Sequence, residues 1–191
     1  LGFASDNIES TTFYSIFLAK KRNNNHIPIG RVIEIKPHLI FVAISTVLLA
    51  IIIYLIPKNL KKHEIYTMSV LAILLGTTAD LIFAVKYNLY ILVTEDIDYS
   101  PIFVGFFIYP AFNLIILNYF PYKKSLWQKI IYIFIWTIIS LLYEVISVKV
   151  DFLHYRTWTL LYSAIVYPIV IIFFSYNLYL YRKLVKDNLN E

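Results

Sequence analysis

The chain of 191 residues contains no cysteine. Disulfides, thiolate nucleophiles, iron–sulfur clusters and thiolate zinc sites are therefore excluded together. Its four histidines, His26, His38, His63 and His154, are scattered, with no pair at metal-ligand spacing, so neither a metal nor another cofactor is expected. Glycine is scarce too. Of four, Gly76 and Gly105 stand alone inside apolar runs, where each can let two helices approach but neither completes a GxxxG pair. Charged residues make up only 15%, against about a quarter of an ordinary soluble domain. No lysine lies within an apolar run, which sets aside a retinal-type Schiff base.

What is abundant is hydrophobic: 60% of residues, with a mean hydropathy of +0.69. This composition, with repeated apolar runs of roughly 20 residues, reads as a membrane protein and leaves no length for a separate catalytic head. The net charge of +5 does not point to nucleic acid, because the basic residues cluster between the apolar runs. The lipid bilayer is the expected partner, beside a second copy or another membrane protein.

Five spans are predicted, at about 39–56, 65–85, 102–120, 130–148 and 159–181, within an all-α transmembrane bundle covering 39–186 and followed by a tail at 187–191. The segments after spans one, three and five hold nine lysines and arginines, against Lys86, Lys149 and Arg156 in the two other connections. By the positive-inside rule this puts the N-terminus out and the C-terminus in. Trp127 and Tyr122 then fall at the inner interface, and Trp158 and Tyr155 at the outer one, where amphipathic rings sit. Glu95, Asp96 and Asp98 in the connection after span two read as a solvated external loop.

Residues 1–38 conflict with that orientation, since Lys20, Lys21, Arg22, Arg31 and Lys36 would lie outside. "TTFYSIFLA" is too short to span, and no signal-peptide order of basic, apolar and small residues is present. The segment is expected to be polar and interfacial, with a non-native or disordered extension as the alternative.

Two acids fall inside predicted spans: Asp80 and Glu144. Each lies four or five residues before the outer end of its helix, about 6–8 Å inside the boundary at 1.5 Å per residue. If the two helices are neighbours, the acids share one site. An acid in a span is costly enough to have either a packing partner or a use. Candidate companions at that depth are Tyr109, Tyr143, Tyr162 and Ser163, with Lys86 and Lys149 able to bend back from the boundary.

A faint internal repeat accompanies them. Asp80, Ile82 and Leu89 match Glu144, Ile146 and Leu153 at one constant offset, and Tyr109-Pro110 answers Tyr167-Pro168 in the following spans. Asn118, Tyr122, Lys123 and Lys124 likewise answer Asn177, Tyr181, Arg182 and Lys183. Two parallel helix pairs after a first helix would give this pattern, and so would the common demands of a bilayer on helices of one orientation.

With "ADLIF" ending one span, "YP" inside the next, "NYFP" closing it, "EV" in the fourth and "HYRTWTLLYS" leading into the fifth, residues 64–183 resemble an uncharacterised family of small multi-spanning membrane proteins from spore-forming Firmicutes. The resemblance implies a bacterial cytoplasmic membrane protein with carboxylates at Asp80 and Glu144, and it brings no activity or cofactor. Where the family's pattern carries a glycine shortly after the first acid, this chain has Phe83.

The expected function is non-catalytic: a structural, sensory or accessory membrane protein with a polar carboxylate site near the outer leaflet. The alternative is a small proton- or cation-coupled transporter or channel using Asp80 and Glu144. A lipid-directed enzyme is the weakest reading. His154 could assist two carboxylates, but no phosphate- or metal-binding signature precedes either acid.

Overall fold

A computed structural model describes residues 36–93 and 99–188. Residues 1–35 of the N-terminal segment, the acids at 95, 96 and 98, and residues 189–191 lie outside the described residues.

Among the described residues, five helices are long and apolar enough to cross a membrane. α1 is Pro37–Leu55, with a proline at its first turn where a missing N–H costs nothing. Pro57 follows its end, and the turn is tied down by Asn118, whose Oδ1 accepts from the Asn59 amide at 2.8 Å and whose Nδ2 donates to the Pro57 carbonyl at 2.9 Å. α2 is Lys62–Asp80, continued by a π-helical turn at Leu81–Lys86. The Glu64 carboxylate caps its start by accepting from the Lys61 amide at 2.9 Å.

α3 is composite: a first turn at Ser100–Phe103, a π-helical stretch at Val104–Ile108, then Tyr109–Tyr119. α4, Leu126–Lys149, is unbroken and opens on a reciprocal Ser125–Gln128 capping box. α5, Leu160–Asn188, runs regularly through Pro168. The helices reach a few residues beyond the sequence-predicted spans at most ends, and α5 extends well past 181.

Two short strands had not been foreseen. β1 (Tyr90–Leu92) follows α2, β2 (Leu153–Tyr155) follows α4, and they pair antiparallel with Tyr90 opposite Tyr155. Each helix pair, α2–α3 and α4–α5, is thus a helix–strand–helix unit, and the ladder joins the units at one end of the bundle. The Leu89 carbonyl, just before β1, accepts from the amides of Arg156, Thr157 and Trp158 at 3.0 Å each, fixing the chain where it turns into α5.

α3 is the most enclosed helix and packs against α1, α2 and α5, while α4 packs chiefly on α5. α4 reaches α1 and α3 through large rings: Tyr143 lies 5.0 Å from Phe41 and 5.2 Å from Phe112, centroid to centroid. One apolar core lies between α1 and α3 beneath the strands, around Val42, Val104, Ile108 and Phe152. A second, around Met68, Leu117, Phe174 and Leu178, fills the opposite end. The outward faces stay apolar, with Ile44, Val47, Phe106, Phe134 and Ile165 all more than half exposed, in keeping with helices apolar enough to cross a membrane.

Candidate functional site

α2 and α4 do not pack closely against each other. Between the two units, below the strand ladder, lies a cavity of about 330 Å³ lined by both acids, Asp80 and Glu144. The two acids thus face one space without a close contact between their helices.

In the first unit, Asp80 ends the regular part of α2. Its Oδ1 accepts a hydrogen bond from the Tyr90 hydroxyl and its Oδ2 one from the Tyr109 hydroxyl, both at 2.7 Å. Tyr109 can come this close because Gly76 lies under its ring: a Cβ at Gly76 would run into that ring. Gly105 plays the reciprocal part, since a Cβ there would lie 2.8 Å from the Thr77 methyl. The two isolated glycines thus bring α2 and α3 together.

In the second unit, Glu144 is buried within α4. Its Oε1 accepts from Tyr155 at 2.5 Å and from Ser163 at 2.7 Å, and its Oε2 accepts from Tyr167 at 2.5 Å. Ser163 in turn accepts from the Trp158 indole N–H at 2.8 Å. Both acids therefore obey one rule. A tyrosine from the strand ladder binds one oxygen, and the tyrosine of the Tyr-Pro pair in the next helix binds the other. The sequence repeat is, in space, a repeated carboxylate–phenol station.

Of the sequence candidates, Asp80, Glu144, Tyr109 and Ser163 come together in this way. Tyr143 lines the cavity but makes no bond to either acid; its ring belongs to the α1–α3 core and its hydroxyl sits beside Ser45. Tyr162 lies away from the cavity, half exposed, with its ring 5.5 Å from that of Trp158. Lys86 turns to the Tyr87 ring rather than back to Asp80. Among the described residues, only hydroxyl groups donate to the two carboxylates.

Sequence reasoning missed Tyr90, Tyr155, Tyr167 and Trp158 as site residues. The available signal was positional: a tyrosine stands ten residues after Asp80 and eleven after Glu144, ahead of each Tyr-Pro. Burial, followed by the Asp80 charge, pushes the Tyr90 phenol well above its ordinary range. Burial and the bond to Glu144 do the same to Tyr155. Both phenols therefore remain donors at any physiological pH.

The opposite end carries a second polar element. Arg182 of α5 grips the buried Glu64 carboxylate of α2 with two bonds, 2.8 Å from Nε and 3.0 Å from Nη2, and lies 4.9 Å from the Tyr122 ring centroid. His63 and the Tyr181 hydroxyl meet beside it at 3.1 Å. Glu64 thereby locks α2 to α5.

Among the described residues the fold and site together define a class: a bundle with five helices long and apolar enough to cross a membrane and a cavity bearing two carboxylates. No family model, curated protein or solved structure matches the chain, so no relative narrows that class. Among the described residues there is no cluster of histidine and acidic side chains able to hold a metal ion.

Proposed function

We propose that this protein is a small proton- or cation-coupled carrier in a bacterial cytoplasmic membrane, with the strand end facing out and the C-terminus in. The observation that carries the reading is the opening of Asp80 and Glu144, each held by an equivalent pair of tyrosines, into one cavity. Acids that served only to pack helices would be expected in a closed contact, capped by neighbouring cations. A carboxylate ringed by hydroxyl donors and facing a cavity can accept a proton or cation and release it again. Two similar units flanking the site supply the halves that alternating access requires. The resemblance of residues 64–183 to a small Firmicutes membrane family fits this setting.

The test is proton flux into proteoliposomes under a pH gradient and under a potential. The reading expects a flux that Asp80→Asn or Glu144→Gln lowers at least tenfold while the protein remains monodisperse; absence of flux under both driving forces counts against it.

A second reading, a non-catalytic structural or accessory protein, draws on the same bonds, because each acid ties a helix to the strand ladder and to the next helix. Under that reading the two substitutions change melting or assembly, and no flux exists to lose.

A further inference from the structure

We propose that the cavity takes a lipophilic organic cation: a small apolar body carrying one protonated amine. This rests on the carrier reading and names its substrate class.

Charge is the first argument. Among the described residues, two carboxylates line the space, and no lysine, arginine or histidine does. Hydroxyl donors give these acids hydrogen bonds but no positive charge, so a cation is the ligand whose charge the lining complements.

Hydrogen-bond polarity is the second. Tyr90 and Tyr109 give their single protons to Asp80, and Tyr155 and Tyr167 give theirs to Glu144. Ser163 also donates to Glu144, while Ser140 and Ser147 donate to carbonyls one turn back in α4. Around the acids these groups have acceptor capacity left and have already committed their hydroxyl protons. An ammonium, with N–H groups and no lone pair, is the complement of such a surface.

The remaining surface supplies faces for the charge and room for the body. Phe83, Tyr90 and Trp158 line the cavity as a contiguous group, with ring centroids 5.6 and 5.8 Å from the indole, and aromatic faces attract a desolvated cation. Away from the acids the walls are mainly apolar, with Ala72, Ile116, Val170 and Phe174 beside one amide, Asn113, whose Nδ2 is already committed to the Met68 carbonyl. A volume of about 330 Å³ falls at the small end of ligand pockets. A bare calcium or magnesium ion takes six or more oxygen ligands, usually with several carboxylates, whereas the described residues hold no cluster of three or more acids and histidines for a metal ion.

The experiment uses the full chain in phosphatidylcholine nanodiscs, with empty nanodiscs as the blank. Binding of hexylamine, hexanol and hexanoate is measured by equilibrium dialysis near neutral pH. Expected is saturable hexylamine binding at least tenfold tighter than that of hexanol, with no hexanoate binding. Asp80→Asn and Glu144→Gln each weaken hexylamine at least tenfold and leave hexanol unchanged. Phe83→Leu, which leaves both acids and their donors in place, weakens hexylamine about threefold and serves if the acid variants fail to fold. Equal binding of all three probes, or amine binding indifferent to Phe83→Leu and to the acids, overturns the proposal. Proton flux measured on the same preparation separates the two claims. Acid-dependent flux without amine binding overturns the amine and leaves the carrier standing, whereas amine binding without flux supports the site and removes the carrier.

Discussion

In the first unit Asp80 sits where α2 loosens into a π-turn and accepts two phenols; in the second, Glu144 sits inside an unbroken α4 and accepts two phenols and Ser163. The residues four positions earlier explain much of this. Gly76 lets the Tyr109 ring close on α2, which suits an aspartate one methylene shorter than glutamate. Ser140, at the equivalent place, instead bonds back to the Trp136 carbonyl at 2.9 Å, and the longer glutamate reaches its own donors. π-turns flank the first station on both helices, Leu81–Lys86 after the acid and Val104–Ile108 before its tyrosine. Such turns recur at functional sites, where they re-aim side chains at the expense of regular hydrogen bonding. One arrangement has therefore been reached by two backbones, the first broken by π-helical turns and the second, at its acid, a regular α-helix.

The largest test of this contrast removes each acid. Glu144→Ala strands three donors and is expected to cost about 3 kcal/mol, whereas Asp80→Ala strands two and costs about 2 kcal/mol. Thermal unfolding in a single detergent ranks them, and equal losses would break the comparison. Gly76→Ala forces the Tyr109 ring away from Asp80 at about 1–2 kcal/mol, while Ser140→Ala stays within about 0.5 kcal/mol. Similar melting shifts for the two would remove the role assigned to Gly76.

Smaller still is the loss of one phenol. Tyr90→Phe and Tyr155→Phe should each cost about 0.6–1 kcal/mol, typical of a hydrogen bond within a membrane protein, and should loosen the strand ladder in hydrogen exchange. The smallest effect concerns pH. Folding raises both phenols above their unfolded value of about 10, so their contribution is complete below pH 10 and declines as pH rises beyond it. Melting temperature should be insensitive to these two groups up to pH 10 and fall above it, less so in the double phenylalanine variant.

The five helices were legible because runs such as 39–56 are uninterrupted by charge and long and apolar enough to cross a membrane. Asp80, Glu144 and the Tyr-Pro pairs were legible as exceptions within those runs. The strands were not: three residues carry no countable period, and Tyr90 meets Tyr155 across 65 positions. Nor could spacing alone tell that Tyr143, next to Glu144, packs its ring into the α1–α3 core and makes no bond to the acid while Tyr155, eleven positions on, returns to the carboxylate. Glu64 was hidden by its setting among lysines, where a carboxylate looks solvated until Arg182 arrives from the last helix.

The bond from the Trp158 indole to Ser163, and from there to Glu144, also makes the site its own reporter. Of the three tryptophans, Trp127 is exposed and Trp136 packs beside Tyr132, while Trp158 lines the cavity. Replacing Trp127 and Trp136 with phenylalanine would leave one fluorophore whose emission follows the state of that carboxylate, so occupancy could be read optically without any label.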